Sequence, residues 1–191
     1  MKFAPLATAA LCLSLAACAA PPPVAQVGPD GRPLPQLYSV SAQGDDVVQL
    51  RFLDGLNALR QAAGAPSLSL NSELTAAAAT HSRDMSIQNR PWHFGSDGSS
   101  PLDRADRVGY SGRVLGQNIS ETYETELETL AAWMETPETR QIVVDPLARD
   151  LGFAWHQEAN GKIWWTMVTG TREQSAIRQT QGVIVAPPTG R

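Results

Sequence analysis

LGFAWHQEANGKIWWTMV, at residues 151–168, is the most informative stretch of this 191-residue sequence. Two runs in it alternate large apolar residues with others, as β-strands do: Leu151, Phe153 and Trp155, then Ile163, Trp165 and Met167. Between the runs lies Asn160-Gly161, a strong turn pair. The stretch therefore predicts a β-hairpin. Its second strand is predicted to be buried on both faces, because Trp164 and Val168 make the other face apolar too.

The segments before the hairpin are predicted to be helices, since apolar residues recur there every three or four positions. The predicted inner faces are Val48, Phe52, Leu56 and Leu59; Leu74, Ala77, Ala78, His81 and Met85; Leu102, Ala105 and Val108; and Leu127, Leu130, Ala131 and Met134. Capping residues precede each helix: Asp45 or Asp46, Asn71 or Ser72, Ser100-Pro101, and Thr125 or a neighbour. Stop signals follow at Gly64 with Pro66, at Gly109 and at Pro137. Helices followed by antiparallel strands predict an α+β domain with helices packed on a sheet.

The N-terminal segment has the features of a signal peptide. An apolar run over residues 3–17 is shorter than the ~20 residues that a spanning helix needs. It ends in Leu15-Ala16-Ala17-Cys18, which resembles the bacterial lipobox. We predict a signal peptide at residues 1–17 and lipidation at Cys18; the alternative is an ordinary signal cleavage site beside a bystander cysteine. The residue after the cysteine is Ala19, which resembles the pattern of lipoproteins that are sorted to the outer membrane.

The remaining layout follows from composition. Residues 18–44 are rich in Pro, Gly, Gln and Ser, which predicts a lipid anchor followed by a flexible tether. The folded domain is predicted at residues 45–172, with a polar, loosely attached tail at 173–191. The chain has two cysteines, Cys12 in the signal and Cys18 at the anchor, so no disulfide is expected in the domain. The net charge is −4 without a basic stripe, which argues against a nucleic-acid partner.

Five motifs follow one another in register between residues 47 and 170. They are NRPWHFGSDGSSP at 89–101, with Arg104 and Gly109-Tyr110 behind it, GQNI at 116–119, WMETPETRQI at 133–142, LGFA at 151–154 and WWTMV at 164–168. Their order and spacing resemble those of bacterial CAP domains, the SCP-like relatives of cysteine-rich secretory proteins and plant pathogenesis-related proteins. The resemblance implies an α-β-α sandwich with a central, mostly antiparallel sheet.

The resemblance also implies a cleft in which two histidines and two acidic residues can hold a divalent cation such as Zn²⁺. His93 matches the first histidine. Gln117 replaces the glutamate of the G-E-N-I motif, and Thr139 replaces the second histidine. Glu135 lies within one residue of the second acidic position. Since an amide does not stabilise an imidazolium as a carboxylate does, and a hydroxyl is a poor zinc ligand, we expect a degenerate cleft without metal or cofactor.

Single residues of the cleft keep alternative interpretations. His93 is either a binding residue or a loop histidine that hydrogen-bonds the backbone. Glu135 either points into the cleft or is an exposed acid at a helix end. Gln117 is expected to hydrogen-bond backbone groups across the cleft. The candidate binding residues are Trp92, His93, Gln117, Glu135 and Thr139.

Three further side chains are expected to be structural. His81 lies on an apolar helix face and is interpreted as a core histidine rather than a ligand. His156 is expected to be solvated on the hairpin, so a zinc site formed by the three histidines is disfavoured. Asp97-Gly98 is expected to form a tight turn, with calcium binding as the alternative.

The sequence favours a non-catalytic binding or structural lipoprotein of the cell envelope. Its partners would be the membrane, through the lipid, and a lipid, glycan or envelope-protein ligand. The alternative is a hydrolase of peptide or cell-wall material, with His93 as base and Glu135 as its partner. No G-x-S-x-G, H-E-x-x-H, C-x-x-C or phosphate-loop motif occurs in the sequence.

Overall fold

The structure, a computed structural model, describes residues 38–40 and 42–171. Within these residues the elements follow one another along the chain as α1 Asp45–Ala62, β1 Ser69–Leu70, α2 Ser72–Gln88, α3 Pro101–Arg107, β2 Arg113–Thr122, α4 Glu126–Glu135, α5 Pro137–Val143, β3 Asp150–Gln157 and β4 Ile163–Thr171. None of the helices in this part of the chain combines the length and apolar character that a membrane crossing requires.

The four strands form one sheet in the order β1-β3-β4-β2. β3 and β4 pair antiparallel, β2 pairs antiparallel with β4, and the two-residue β1 runs parallel to β3. The predicted hairpin is confirmed, and its turn contains Gly161 at φ 91°, a conformation that glycine adopts without strain. Every residue of β4 is buried, as expected for the middle of a covered sheet.

Helices cover both faces of the sheet, which confirms the α-β-α sandwich. On one face the main core is built around Phe52, Phe153 and Trp165 and packs against helices α1, α4 and α5. On the other face a smaller core includes Ala154 and Val168 and packs against α2 and α3. The two cores separate because successive side chains of a strand point to opposite faces.

The predicted caps are confirmed for α2, where the Asn71 side chain accepts a hydrogen bond from the Leu74 amide at 2.8 Å. The predicted cap of α1 is wrong. Gly44 occupies the N-cap without a side-chain bond, and Asp45 and Asp46 lie in the first helical turn. Carboxylates stabilise a helix at that position too, through the partial positive charge of the helix N-terminus.

The predicted inner face of α4 is partly wrong. Leu130 is buried, but Leu127 is 41% exposed and Ala131 is also exposed. Glu126 lies inside instead, because its carboxylate is paired with the Arg51 guanidinium and accepts from a tyrosine hydroxyl. A charged residue with such partners can be buried, and apolar periodicity does not reveal it.

The folded domain includes residues 38–40, which the sequence analysis assigned to the tether. Val40 is fully buried in the main core, and the Tyr38 hydroxyl donates to Glu126 at 2.7 Å. The Gln157 side chain accepts from the Val40 amide at 3.0 Å and donates to the Tyr38 carbonyl at 2.8 Å. The signal peptide, Cys18 and the 173–191 tail lie outside the described residues.

Candidate functional site

The loop between α2 and α3 is bonded to α2 and to itself through side chains. Asp84 accepts hydrogen bonds from the Ser96 amide at 2.7 Å and the Ser96 hydroxyl at 2.6 Å. Asp97 accepts from the Ser99 amide at 2.9 Å, and Gly98 has φ 81°. The tight turn predicted at Asp97-Gly98 is therefore confirmed. These hydrogen bonds connect the loop to α2 just after the residues of the site.

Arg104 fastens this loop to the sheet. Arg104 is 4% exposed, and its guanidinium donates to the Ser99 carbonyl at 2.7 Å and to the His93 carbonyl at 2.9 Å. The same nitrogen that reaches His93 lies 3.5 Å from Gln117 Oε1. Burial is the main cause that lowers the Arg104 pKa from its ordinary value. Sequence reasoning assigned Arg104 no role; the available signal was its place in the motif, four residues after the Ser100 cap.

His93 and Gln117, both predicted from the sequence, form the centre of the site. His93 Nδ1 lies 3.0 Å from Gln117 Oε1. Gln117 projects from β2 and is only 6% exposed, whereas His93 is exposed. Because Oε1 also faces the Arg104 donor, it is the acceptor of the pair, and His93 Nδ1 carries the hydrogen. His93 Nε2 then offers a lone pair to the solvent side.

The Gln117 amide nitrogen has no hydrogen-bond partner among the described residues, yet it is not sealed from solvent like the atoms of the core. An amide N–H₂ group in that situation is free to donate to a ligand. The site therefore presents a donor on Gln117, and His93 offers an acceptor at Nε2, on the side of the imidazole away from Gln117.

His81 lies behind this pair as a core histidine, as predicted. It is fully buried, and neither ring nitrogen makes a hydrogen bond of normal geometry, although the Trp92 backbone is close. Burial, followed by repulsion from Arg104, lowers the pKa of His81 to about 4. The imidazole is therefore neutral near pH 7. His156, on β3, is partly exposed, and the structure does not combine the three histidines into one site.

Thr139 and Glu135 do not lie next to His93 in the structure. The Thr139 hydroxyl donates to the Trp133 carbonyl at 2.7 Å, and its own carbonyl accepts from Asn118 at 3.0 Å. Asn118 follows Gln117 on β2, so the two side chains point to opposite faces of the sheet. Thr139 therefore lies on the face opposite His93. Glu135 is exposed at the end of α4, on the same side as Thr139.

Trp92 and Phe94 flank His93 and form what we call the aromatic shelf. They are 40% and 44% exposed, their ring centroids lie 5.7 Å apart, and their planes are tilted by 45°. The Arg90 guanidinium lies 4.0 Å from the Trp92 ring centroid, a cation–π contact. Trp92 was predicted as cleft lining. Phe94 and Arg90 were missed, although both lie two residues from Trp92 in the same motif.

The residues around His93 do not fit the zinc ion that the family resemblance implies. Zinc in proteins takes three or four imidazole, thiolate or carboxylate ligands. Here the neighbours of His93 are a neutral amide and the guanidinium of Arg104, which repels a cation. Within residues 38–40 and 42–171, no three His, Cys, Asp or Glu side chains come together in a way that would hold a metal.

Two cavities of the domain are lined by neither His93 nor Gln117. One, of about 270 Å³, is enclosed by α2, α3 and the loop, and its polar residues Asp84, Ser96 and Arg104 are already hydrogen-bonded to protein. A wider depression of about 670 Å³ lies between residues 38–40 and the hairpin. Neither His93 nor Gln117 lines it, so its size does not make it part of this site.

Comparison with protein families gives one match to a family model, described as the cysteine-rich secretory protein family, CAP, over residues 53–169. Among curated proteins, YkwD of Bacillus subtilis (strain 168), described as uncharacterized, is 30% identical over 132 residues. That alignment covers 69% of this chain and 49% of YkwD. The chain therefore spans about half the length of this relative.

Solved structures share the fold. An outer surface protein from Borrelia burgdorferi superposes with a TM-score of 0.61 at 13% identity, covering 69% of this chain and 96% of that one. An extracellular protein containing a SCP domain from Bacillus anthracis str. Ames also gives 0.61, at 18% identity, covering 70% and 44%. A cysteine-rich secretory protein from Staphylococcus aureus gives 0.53 at 14% identity, covering 63% and 37%.

Proposed function

The chain belongs to the cysteine-rich secretory protein (CAP) family, and on that premise we propose that it is an envelope-anchored binding module rather than an enzyme. One observation carries the proposal. The imidazole of His93 is held by the neutral amide of Gln117, at 3.0 Å, and not by a carboxylate. The charged group behind that amide is the Arg104 guanidinium, at 3.5 Å from its oxygen.

This arrangement lacks the partner of a typical general base. A catalytic histidine is commonly oriented by a hydrogen-bonded carboxylate, whereas His93 Nδ1 is bonded to the Gln117 amide. Glu135, the partner that a hydrolase would need, is exposed on the other side of the sheet. The same arrangement is well suited to binding, since a hydrogen-bonded loop and a buried arginine fix the side chains in advance.

An extracytoplasmic location is supported by two of the similar proteins, described as an outer surface protein and an extracellular protein. The lipid anchor at Cys18 rests on the lipobox resemblance of residues 15–18. The module would thus be tethered to an envelope membrane, in keeping with the predicted outer-membrane address, and would bind a lipid, glycan or protein ligand there.

The enzyme alternative is tested with the full chain and envelope-derived glycan and peptide substrates. We expect no turnover above that of the His93→Ala variant. His156→Ala is the matched control, because it removes a histidine of the same domain away from the site. Turnover that disappears in His93→Ala and persists in His156→Ala would overturn the binding-module proposal.

The anchor is tested separately by expressing the full chain and Cys18→Ala in a diderm bacterium. We expect the unchanged chain in the membrane fraction, labelled by a radioactive fatty acid, and the variant unlabelled and released from the membrane. Equal membrane association without label in both would contradict lipidation at Cys18. Cys12→Ala serves as the control, since it replaces a cysteine of the signal segment that we do not expect to be acylated.

A further inference from the structure

We propose that residues 182–186 of the C-terminal tail, with the sequence GVIVA, add a strand to the open edge of β3. The added strand lies parallel to β3 and continues the line that the short strand β1 begins. The inference is independent of the proposed function, because it concerns the opposite edge of the sheet from β2, which carries Gln117. The expectation of a loosely attached tail then applies only to the residues around this segment.

Strand β3 is longer than the strand that covers its outer edge. β1 pairs only with Asp150 and Leu151, whereas β3 continues to Gln157. On its other side β3 is paired with β4 along its whole length. Among the residues that the structure describes, 152–157 therefore have a strand on one side only. Such an edge is a place where a further extended segment can add to a sheet.

The backbone groups of the odd-numbered residues of β3 face this open edge. The Leu151 carbonyl accepts from the Asn71 amide, on the β1 side, at 2.8 Å. The Phe153 carbonyl accepts from Gln49 Nε2 at 3.0 Å. Because the direction repeats at every second residue of a strand, the N–H and carbonyl of Trp155 point the same way. Within the described part of the chain, no group is hydrogen-bonded to them from that side, so they can pair with an added strand.

A groove runs along this edge between the helices of the two faces. Its inner part, a cavity of about 180 Å³, is lined by Asp45 and Gln49 of α1, by Thr75 and Ala79 of α2, and by Trp155. It shares Asp45 and Trp155 with the depression of about 670 Å³ beside the hairpin, and we call the two together the edge groove. Trp155 is half-buried, and Thr75 and Ala79 are small. The edge groove therefore has room for β-branched side chains beside an added strand.

The charges of the edge groove and of the tail are opposite. Asp45 and Glu158 line the groove, and no lysine or arginine does so among the described residues. Residues 172–191 carry three arginines and one glutamate, so this part is positive although the whole chain has a net charge of −4. Opposite charges favour the approach of the tail to the groove and disfavour an acidic segment there.

The tail contains a segment whose composition suits a strand. Val183, Ile184 and Val185 are consecutive β-branched residues, the type that strands favour, and Pro187 ends the run. Because all three are apolar, the added strand brings apolar side chains to both of its faces in either register. Residues 182–186 also match the length of β3 from Phe153 to Gln157.

The tail can reach this position from the end of β4. That strand ends at Thr171, beside the start of β3, because Gly170 pairs with Asp150. An added strand would lie two strand spacings from β4, roughly 10 Å, and its centre would lie roughly 17 Å along β3. Residues 172–182 span up to about 36 Å when extended. A tail that starts where β3 starts runs in the direction of β3, which makes the added strand parallel.

The test is amide hydrogen exchange of the full chain, followed by NMR at the Trp155 amide. We expect this amide to be protected, and the Val183→Pro/Ile184→Pro variant to raise its exchange rate about tenfold or more. Successive N–H groups of a strand point to opposite sides, so one of the two prolines must remove a bond to β3. A nuclear Overhauser contact between the Trp155 amide and residues 183–185 would identify the tail directly.

Two controls separate pairing from folding. The Ala176→Pro/Ile177→Pro variant makes the same change in the same tail, ahead of the proposed strand, and should exchange like the unchanged chain. The His156 amide faces β4 rather than the open edge, so it should stay protected in all three chains and report that the domain is folded.

Three results would overturn the inference. One is a Trp155 amide that exchanges without protection in the full chain, and another is protection that survives Val183→Pro/Ile184→Pro. The third is protection that rises with protein concentration, which would place the edge of a second copy in the groove instead of the tail. None of these results bears on His93, so the proposed function is tested separately.

Discussion

Gly152 on β3 lies directly against the backbone of Leu74 on α2, so that a Cβ placed on Gly152 would stand 2.3 Å from the Leu74 carbonyl carbon and oxygen. Real Cβ atoms do not approach other atoms so closely. The contact sets how near α2 can come to the sheet, and α2 is the helix from which the His93 loop starts. The absence of a side chain at Gly152 thus helps to position the site.

Gly152→Ala is expected to lower the free energy of unfolding by at least about 1–3 kcal/mol, because backbone rather than a flexible side chain would have to move. Gly55→Ala on α1 is the matched control. Its Cβ would meet only the end of the half-exposed Leu127 side chain, at 3.0 Å, and that of Leu130 at 3.6 Å. Alanine favours helix, so we expect that change to be neutral or stabilising by up to about 1 kcal/mol. Urea denaturation measures both, and equal effects would contradict the close helix–sheet contact.

Trp165→Ala is expected to cost about 3–5 kcal/mol, because the ring is fully buried and stacks on Phe153 at a centroid distance of 5.4 Å. Trp92→Ala removes the same side chain from the exposed shelf and should cost less than about 1 kcal/mol. Trp165→Phe should cost less than alanine, since the buried indole N–H has no partner to lose among the described residues. A loss well under about 1 kcal/mol for Trp165→Ala would refute its place in the core.

Acidification should destabilise the domain through His81. The unfolded chain takes up this proton near the ordinary pKa of 6.5, whereas the folded chain holds a pKa of about 4. Between these values the unfolded state binds more protons, so stability falls as the pH falls, by about 3 kcal/mol in total. The pKa of Asp84, a carboxylate that faces His81 from the same helix, is itself lowered, so it titrates below this window.

The measurement is urea denaturation at several pH values between about 4.5 and 7, for the unchanged chain and for His81→Leu. We expect the leucine variant to lose most of the pH dependence, because it carries no proton in either state. An unchanged slope in His81→Leu would show that His81 does not titrate between the folded and unfolded states as described.

The domain boundary gives another prediction. A chain that begins at Leu37 keeps Val40 in the core and the Gln157 bonds to residues 38–40, so it should be as stable as a longer one. A chain that begins at Asp45 loses that packing and leaves Glu126 without the Tyr38 hydroxyl, which should cost about 2–4 kcal/mol. Calorimetric unfolding compares the two, and equal stability would place residues 38–40 outside the cooperative unit.

Periodicity predicts the parts of this fold that depend on one buried face. The inner face of α2, from Leu74 to Met85, and the alternation around Trp165 are both simple patterns of apolar residues. Strand β2 was not predicted, because Gln117 and Asn118 are polar and buried for different reasons on opposite faces. The burial of Glu126 was not predicted for a similar reason, since it depends on partners that are distant in sequence.

The site itself was half predictable. Motif spacing singled out His93 and Gln117. Which of their atoms meet depends on Arg104, whose contacts reach both the α2–α3 loop and β2. Motif order also placed Thr139 in the cleft. Linear order does not tell which face of a sheet a neighbouring element covers, and Thr139 lies behind the sheet as seen from His93.

The central claim is that His93 is paired with a neutral amide next to a positive charge, so that the cleft holds no catalytic metal. Zinc titration of the purified full chain, followed by dialysis and elemental analysis, tests it most directly. We expect zinc bound in less than stoichiometric amounts, with no difference between the unchanged chain and His93→Ala. One tightly held zinc ion per chain, lost in His93→Ala, would contradict the claim.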